Sequence, residues 1–112
     1  MAGAVKRGDI VVVSSQGDYG KPRPAVIVQS DALAGADSVL VSLLIGDMTD
    51  ASLYRLMIQP DEGNGLKAPS QVMVDKIVAI PRAKASAPIG SLDKSAMIAL
   101  NHMLAVMIGI AD

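Results

Sequence analysis

Short apolar runs separated by turn-forming residues recur between positions 9 and 80 of the chain. They have the length and the β-branched content of strands, and they lie at residues 9–14, 25–29, 38–45, 52–58 and 70–80. Strands of this length with turn signals between them favour a small antiparallel barrel over alternating strands and helices. The pattern therefore predicts a mainly β fold.

The last part of the chain has the pattern of a single helix. Ser91 is a suitable N-cap, Asp93 suits the positive helix N-terminus and Gly109 is a suitable stop, which predicts a helix over residues 92–108. Most of this helix is apolar nearly all round, which is more than packing on one sheet requires. A second buried face at a dimer contact is therefore expected. The Ala/Ser/Pro stretch at residues 83–88 predicts a mobile connector before the helix.

Composition limits the number of domains and the kind of core. The 112 residues fit one domain, taken as residues 1–112, and 51% of them are hydrophobic, with neither Phe nor Trp. The core is therefore expected to be aliphatic. The formal net charge is −1, so the chain lacks the basic excess typical of a non-specific duplex binder, and any nucleic-acid site must be local.

Several classes of protein are excluded by what the chain lacks. Cysteine is absent, which excludes disulfides, thiolate metal sites and a cysteine nucleophile. With one histidine and no carboxylates at ligand spacing, neither a metal site nor another cofactor is expected. The N-terminal segment and its short apolar run fit neither a signal peptide nor a membrane span. We therefore expect a cytoplasmic protein without a membrane segment.

Four segments, taken in order, carry a family resemblance. They are Lys6-Arg7-Gly8-Asp9-Ile10, the Arg23-Pro24 pair before an apolar strand, the stretch at residues 70–77, and Ile89-Gly90-Ser91-Leu92 before the apolar helix. Together they resemble the MazF/PemK toxins of bacterial toxin–antitoxin pairs. The resemblance implies an SH3-like barrel with a C-terminal helix, a homodimer, metal-independent endoribonuclease activity on single-stranded RNA, and inhibition by a partly disordered antitoxin.

Metal-free cleavage of RNA needs three chemical roles. The ribose 2′-hydroxyl attacks the adjacent phosphorus, so a base must take its proton, a cation must stabilise the phosphorane and an acid must serve the leaving oxygen. Arg23 is our candidate for the cation, because guanidinium is permanently charged, matches phosphate geometry and here lies between two prolines. The alternative is a surface arginine in a salt bridge.

Asp75 is our candidate for the base. It is a carboxylate set within an apolar strand, and the family resemblance places an acid at this position. The alternative is an ordinary ion pair with Lys76 or Arg82. The two interpretations remain open at this stage.

The chain departs from the family at two positions that bear on catalysis. Many members have a Thr at the end of the third strand, and here Thr49 follows a few residues later, so it is the candidate replacement. Some members have an Arg two residues before the acid, where it can donate a proton, but this chain has Met73. The general acid is therefore unassigned, with Lys21, Lys76 and Arg82 as candidates.

Contacts to RNA bases usually involve aromatic side chains, and this chain offers only Tyr19 and Tyr54. Tyr19 is the better candidate because it lies in the loop before Arg23, although it can equally be an ordinary surface tyrosine. The full set of predicted RNA-binding residues is Tyr19, Lys21, Ser70, Gln71 and Lys76.

Two other functions remain open. One is a gyrase-poisoning toxin of the CcdB kind, which shares the fold, has no ribonuclease activity and resembles this chain at Gln29-Ser30-Asp31, residues 87–90 and residues 107–110. The other is a degenerate family member that still binds antitoxin, as Met73 suggests. The antitoxin is expected to cover the basic groove around Lys21 and Arg23 with an acidic or amphipathic segment.

Overall fold

A computed structural model describes residues 5–14, 21–46 and 53–111. Within these ranges the chain forms a six-stranded sheet and one α-helix. The strands are β1 (Asp9–Ser14), β2 (Pro22–Ile27), β3 (Ser38–Ile45), β4 (Arg55–Ile58), β5 (Ser70–Pro81) and β6 (Gly90–Ser91), and the helix is α1 (Lys94–Met107). Short 3-10 helices lie at Asp31–Leu33 and Arg82–Lys84.

All neighbouring strands of the sheet are antiparallel, in the order β4-β5-β3-β2-β1-β6. The sheet curls into a half-barrel, and α1 packs against one of its faces through Leu100 and Leu104. The predicted mainly β, SH3-like fold with a C-terminal helix is thereby confirmed. β-Branched residues form these strands because the pleated backbone accommodates side chains that are restricted at χ1.

Alternation along the strands produces two apolar clusters, one on each face of the sheet. The helix-side cluster lies under α1 and contains Ile10, Val26, Leu44, Ile58, Val72, Val74, Leu92, Leu100 and Leu104. The opposite cluster contains Val11, Val13, Ala25, Ile27, Val39 and Val41. The core is aliphatic, as the composition predicts.

A large bulge interrupts the pairing of β3 with β5. Ser42 lies opposite Ile77 and Leu44 lies opposite Val72, so residues 73–76 of β5 face Leu43 alone. A bulge of this kind leaves the extra residues unpaired and bends the strand. The bulge falls at the Asp75-Lys76 pair that interrupts the apolar run, and it turns Asp75 outward from the ladder with β3.

Several local predictions are wrong. Strand β2 covers Pro22–Ile27 rather than residues 25–29, so it includes the Pro-Arg-Pro segment. The helix begins at Lys94 rather than residue 92, and its N-cap is Asp93, whose carboxylate accepts a 2.8 Å hydrogen bond from the amide of Ala96. Ser91 instead belongs to β6 and pairs with Asp9 of β1. The segment at 83–88 is not a loose connector either, since Ser86 donates from its amide to the carbonyl of Val12 at 2.9 Å and accepts from the Val12 amide at its hydroxyl.

Candidate functional site

Arg23 lies at the start of β2, directly opposite Val13 of β1. Ala25 and Ile27 of the same strand belong to the opposite cluster. Because successive side chains of a strand alternate between faces, Arg23 points to the same side as these two residues, away from α1. Its side chain is half-buried, and Pro22 and Pro24 restrict the backbone on either side.

Asp75 emerges on this same face of the sheet. Val72 and Val74 of β5 belong to the helix-side cluster, so Met73 and Asp75 project to the other side. Arg23 and Asp75 therefore project to the same side of the sheet from two different strands.

Asp75 forms an ion pair with Arg55 of β4. The Arg55 Nε donates to Oδ1 of Asp75 at 3.2 Å, and the exposed fractions of the two side chains are 13% and 25%. The alternative partners considered for Asp75, Lys76 and Arg82, are therefore wrong. Arg82 is used elsewhere, because its guanidinium donates to the carbonyls of Ala36 and Leu33 at 2.8 and 3.4 Å.

Arg55 was not singled out by the sequence analysis. The register of β4 with β5 places it opposite Met73, and side chains of directly opposed residues lie on the same face. Its guanidinium carbon is 5.7 Å from the centroid of the Tyr54 ring, which is a cation–π distance. One sequence signal could have identified it, since Arg55 is the only Lys or Arg between Arg23 and Lys67.

The other predicted RNA-binding residues differ in their exposure to solvent. Lys21 and Lys76 are exposed, whereas Ser70 and Gln71 are buried, and the Ser70 hydroxyl donates to the carbonyl of Ala68 at 3.1 Å. Thr49 and Tyr19 fall outside the described residues.

A cavity of about 310 Å³ lies on the other side of the sheet, between β4 and the first turn of α1. Its lining combines apolar side chains such as Leu56 with the carboxylates of Asp61 and Asp93. The Asp61 carboxylate accepts a hydrogen bond from the backbone amide of Asn64, and the Asp93 carboxylate accepts one from the amide of Ala96 in α1. Acidic walls are unsuited to a phosphate, whereas the surface bearing Arg23, Arg55 and Asp75 carries two guanidinium groups that can bind an oxyanion.

Two classes of feature were not found in the described ranges. Residues 5–14, 21–46 and 53–111 contain no group of three or more His, Asp or Glu side chains that could hold a metal ion. In the same ranges no helix combines the length and apolar content needed to cross a membrane.

Comparison with known proteins gives consistent matches over almost the whole chain. A family model described as "PemK-like, MazF-like toxin of type II toxin-antitoxin system" matches residues 6–108. A protein of Mycolicibacterium smegmatis named "Probable endoribonuclease MazF" is 37% identical over 108 residues, which are 96% of this chain and 99% of that protein.

Solved structures show the same fold at lower identity. A mycobacterial endoribonuclease in complex with its cognate antitoxin superposes with a TM-score of 0.82 and 19% identity, covering 97% of this chain and 99% of that one. The toxin MazF-mt6 of Mycobacterium tuberculosis superposes with a TM-score of 0.77 and 22% identity, covering 90% and 96% of the two chains.

Proposed function

The chain belongs to the PemK-like, MazF-like toxin family of type II toxin–antitoxin systems, and from this premise we propose that it is a metal-independent endoribonuclease that cuts single-stranded messenger RNA at selected sequences. The observation that carries the proposal is the common surface of Arg23 and Asp75. By strand alternation against the two apolar clusters, a permanent cation and a carboxylate from separate strands there face the same side of the sheet. The relative from Mycolicibacterium smegmatis, named as a probable endoribonuclease, supports the activity.

Each residue has a role in the proposed reaction. Asp75 takes the proton of the ribose 2′-hydroxyl as its oxygen bonds to phosphorus, and the bond from phosphorus to the 5′-oxygen breaks. Arg23 binds the non-bridging oxygens, on which negative charge increases in the phosphorane. Water is the proton source for the departing 5′-oxygen in this scheme, and the products are a 2′,3′-cyclic phosphate and a 5′-hydroxyl.

The RNA-binding surface extends from the reacting phosphate along the same face. Lys21 and Lys76 are exposed, so they are available to neighbouring phosphates. Ser70 and Gln71 are assigned smaller contributions, because both are buried and Ser70 lies opposite Ile58 of the helix-side cluster. Tyr19 and Thr49 complete the proposed set, as a stacking residue and a hydroxyl donor to the phosphate respectively.

We also propose a homodimer that uses the outer side of α1 and the residues after it. Ile98 is 62% exposed and Ile110 is 77% exposed, and Val106 and Ile108 are also exposed. Several large apolar side chains exposed along one helix and the residues after it are typical of an interaction site. Light scattering should give twice the chain mass, and an Ile98→Glu variant should give a larger monomer fraction.

The cognate partner is proposed to be an antitoxin whose acidic or amphipathic segment covers Lys21 and Arg23. The mycobacterial structure that contains a cognate antitoxin supports a partner of this kind. Residues 1–112 are proposed to act as one toxin domain, in the cytoplasm, where messenger RNA is found. The antitoxin should protect RNA from cleavage in direct proportion to the complex formed.

The test is incubation of a long single-stranded RNA with purified protein in EDTA, followed by mapping of the cut ends. Wild type should give discrete cuts with cyclic phosphate ends, and Arg23→Ala and Asp75→Asn should each reduce the rate about 10²–10³-fold. Lys67→Ala is the matched control, because Lys67 is an exposed cation outside both α1 and the proposed RNA-binding set.

Intact RNA with wild type would overturn the ribonuclease proposal. A supercoiling assay with DNA gyrase and an antitoxin-peptide binding assay would then separate the two remaining functions. Cuts that require added divalent metal would contradict the metal-free mechanism while preserving the ribonuclease activity.

A further inference from the structure

The ion pair between Arg55 and Asp75 uses only part of the guanidinium. Its Nε binds Oδ1 of Asp75, and within the described ranges neither Nη1 nor Nη2 has a hydrogen-bond partner. In the same ranges, only the hydroxyl of Ser42 is a fully buried polar side-chain atom without a partner. The two terminal nitrogens of Arg55 therefore reach solvent, although the side chain as a whole is only 13% exposed.

The ion pair leaves donors of the guanidinium uncommitted. Arginine binds a carboxylate most strongly through two parallel N–H bonds, whereas here a single 3.2 Å bond is made at the Nε edge. The guanidinium carbon also lies 5.7 Å from the centroid of the Tyr54 ring. A partly desolvated cation that contacts a carboxylate and an aromatic ring, and that has two further donors, is suited to a bidentate oxyanion such as a phosphate.

We propose that Arg55 is a catalytic residue of this site, which contacts the scissile phosphate through Nη1 and Nη2 while its Nε orients the Asp75 carboxylate. The inference rests on the proposed ribonuclease function and adds a second substrate-binding cation to it. No new bond is made or broken by Arg55, since it supplies hydrogen bonds to the phosphorane oxygens and remains protonated throughout.

The strand register provides a sharp test of this role. Arg55 and Met73 are directly opposed, so their Cα atoms lie about 4.5–5.5 Å apart and their side chains share one face. Exchanging the two residues, as the double variant Arg55→Met with Met73→Arg, moves the guanidinium by one strand only. It leaves composition and net charge unchanged.

Three variants are compared with wild type in three assays. Single-turnover cleavage gives the rate of the chemical step, and an RNA with a 2′-deoxy sugar at the cut site, which cannot be cleaved, gives the binding affinity. Urea unfolding gives the folded fraction. Arg55→Met should cut at least about 100-fold more slowly, and its affinity for the uncleavable RNA should fall less than about 10-fold. The exchanged double variant should recover at least about 10-fold of the lost rate. Lys67→Met, which removes an exposed cation that belongs to neither the proposed RNA-binding set nor α1, should cut at the wild-type rate.

The outcomes separate this inference from the proposed function. If wild type and Arg55→Met cut RNA equally fast, Arg55 has no catalytic role and the ribonuclease proposal stands. If Arg55→Met loses rate only in proportion to its unfolded fraction in the urea experiment, Arg55 is merely structural and the inference fails. If wild type itself leaves RNA intact, both proposals fail together.

Discussion

Removal of the Ser42 hydroxyl should stabilise this protein. Ser42 is fully buried in β3, and its hydroxyl has no hydrogen-bond partner among the described residues. Its neighbours across the ladders are Val26 and Ile77, so the oxygen lies in an apolar environment. A buried hydroxyl without a partner incurs its desolvation cost with nothing in return, whereas the methyl group of alanine incurs none.

The magnitude follows from the cost of an unsatisfied buried donor, about 1–3 kcal/mol. Loss of the oxygen leaves a small void, so the net gain for Ser42→Ala should be at the low end, about 1 kcal/mol. A domain of this length unfolds with an entropy for which 1 kcal/mol corresponds to about 4 °C in Tm. Most single substitutions destabilise, so the sign alone is informative.

The assay is thermal and urea unfolding at one fixed protein concentration, since association with partners or copies shifts apparent stability. Ser86→Ala is the matched control, because the Ser86 hydroxyl both accepts from the amide of Val12 and donates to the carbonyl of Ala87. The same chemical deletion should there cost about 1 kcal/mol. A Ser42→Ala protein that melts below wild type would refute the reasoning and indicate that the hydroxyl has a partner, such as a buried water.

Three further predictions concern the surrounding structure. Gly90→Ala should cost about 3 kcal/mol in urea unfolding, because a Cβ there would overlap the backbone of Asn64, whereas Gly35→Ala, with open space around its Cα, should be neutral or slightly stabilising. Asp93→Ala should lower the free energy of unfolding by about 1 kcal/mol, because the N-cap of α1 is lost, whereas Asp93→Asn should keep most of the stabilisation that the cap provides. Arg7→Met should cost about 1–2 kcal/mol, because its side chain donates to the Val28 carbonyl and the Asn101 amide oxygen; an unchanged urea midpoint would contradict this.

Much of the fold could be predicted because it follows from local chemistry. The β-branched runs at β1 and β3 have the bounds that their sequences suggest, since strands of this type are specified by burial on both faces. The start of α1 could not be predicted, because Ser91 and Asp93 are both competent N-caps. The choice between them depends on a distant contact, the pairing of Ser91 with Asp9 of β1.

The segment at 83–88 illustrates a different limit. Its Ala, Ser and Pro composition indicates low intrinsic order, and nothing local shows that it has a partner. In the folded chain Ala85 forms a bridge with Val13, and Ser86 bonds to Val12. Contacts across more than 70 residues outweigh composition here.

Individual residues of the candidate site could be predicted from the sequence, but their contacts with one another could not. Arg23 and Asp75 could each be chosen by chemical type, but the arginine that binds Asp75 comes from another strand. Its position depends on the bulge in β5, where three extra residues separate the pair Leu44 and Val72 from the pair Ser42 and Ile77.

An odd number of extra residues reverses which side chains face α1. Val72 and Val74 face the helix before the bulge, and Ile77 packs against the same cluster after it, so charged Lys76 is excluded from the core. The break in apolar alternation at Asp75-Lys76 is therefore the sequence signature of the bulge. Residues 73–76 are not paired one to one with β3, and on the β4 side Arg55 lies opposite Met73 and forms an ion pair with Asp75. Position 55 thus carries a guanidinium that position 73 lacks. If the proposed site needs only a guanidinium on this face, the exchange of Arg55 with Met73 should preserve cleavage. If it needs the guanidinium on β4, the exchange should abolish cleavage.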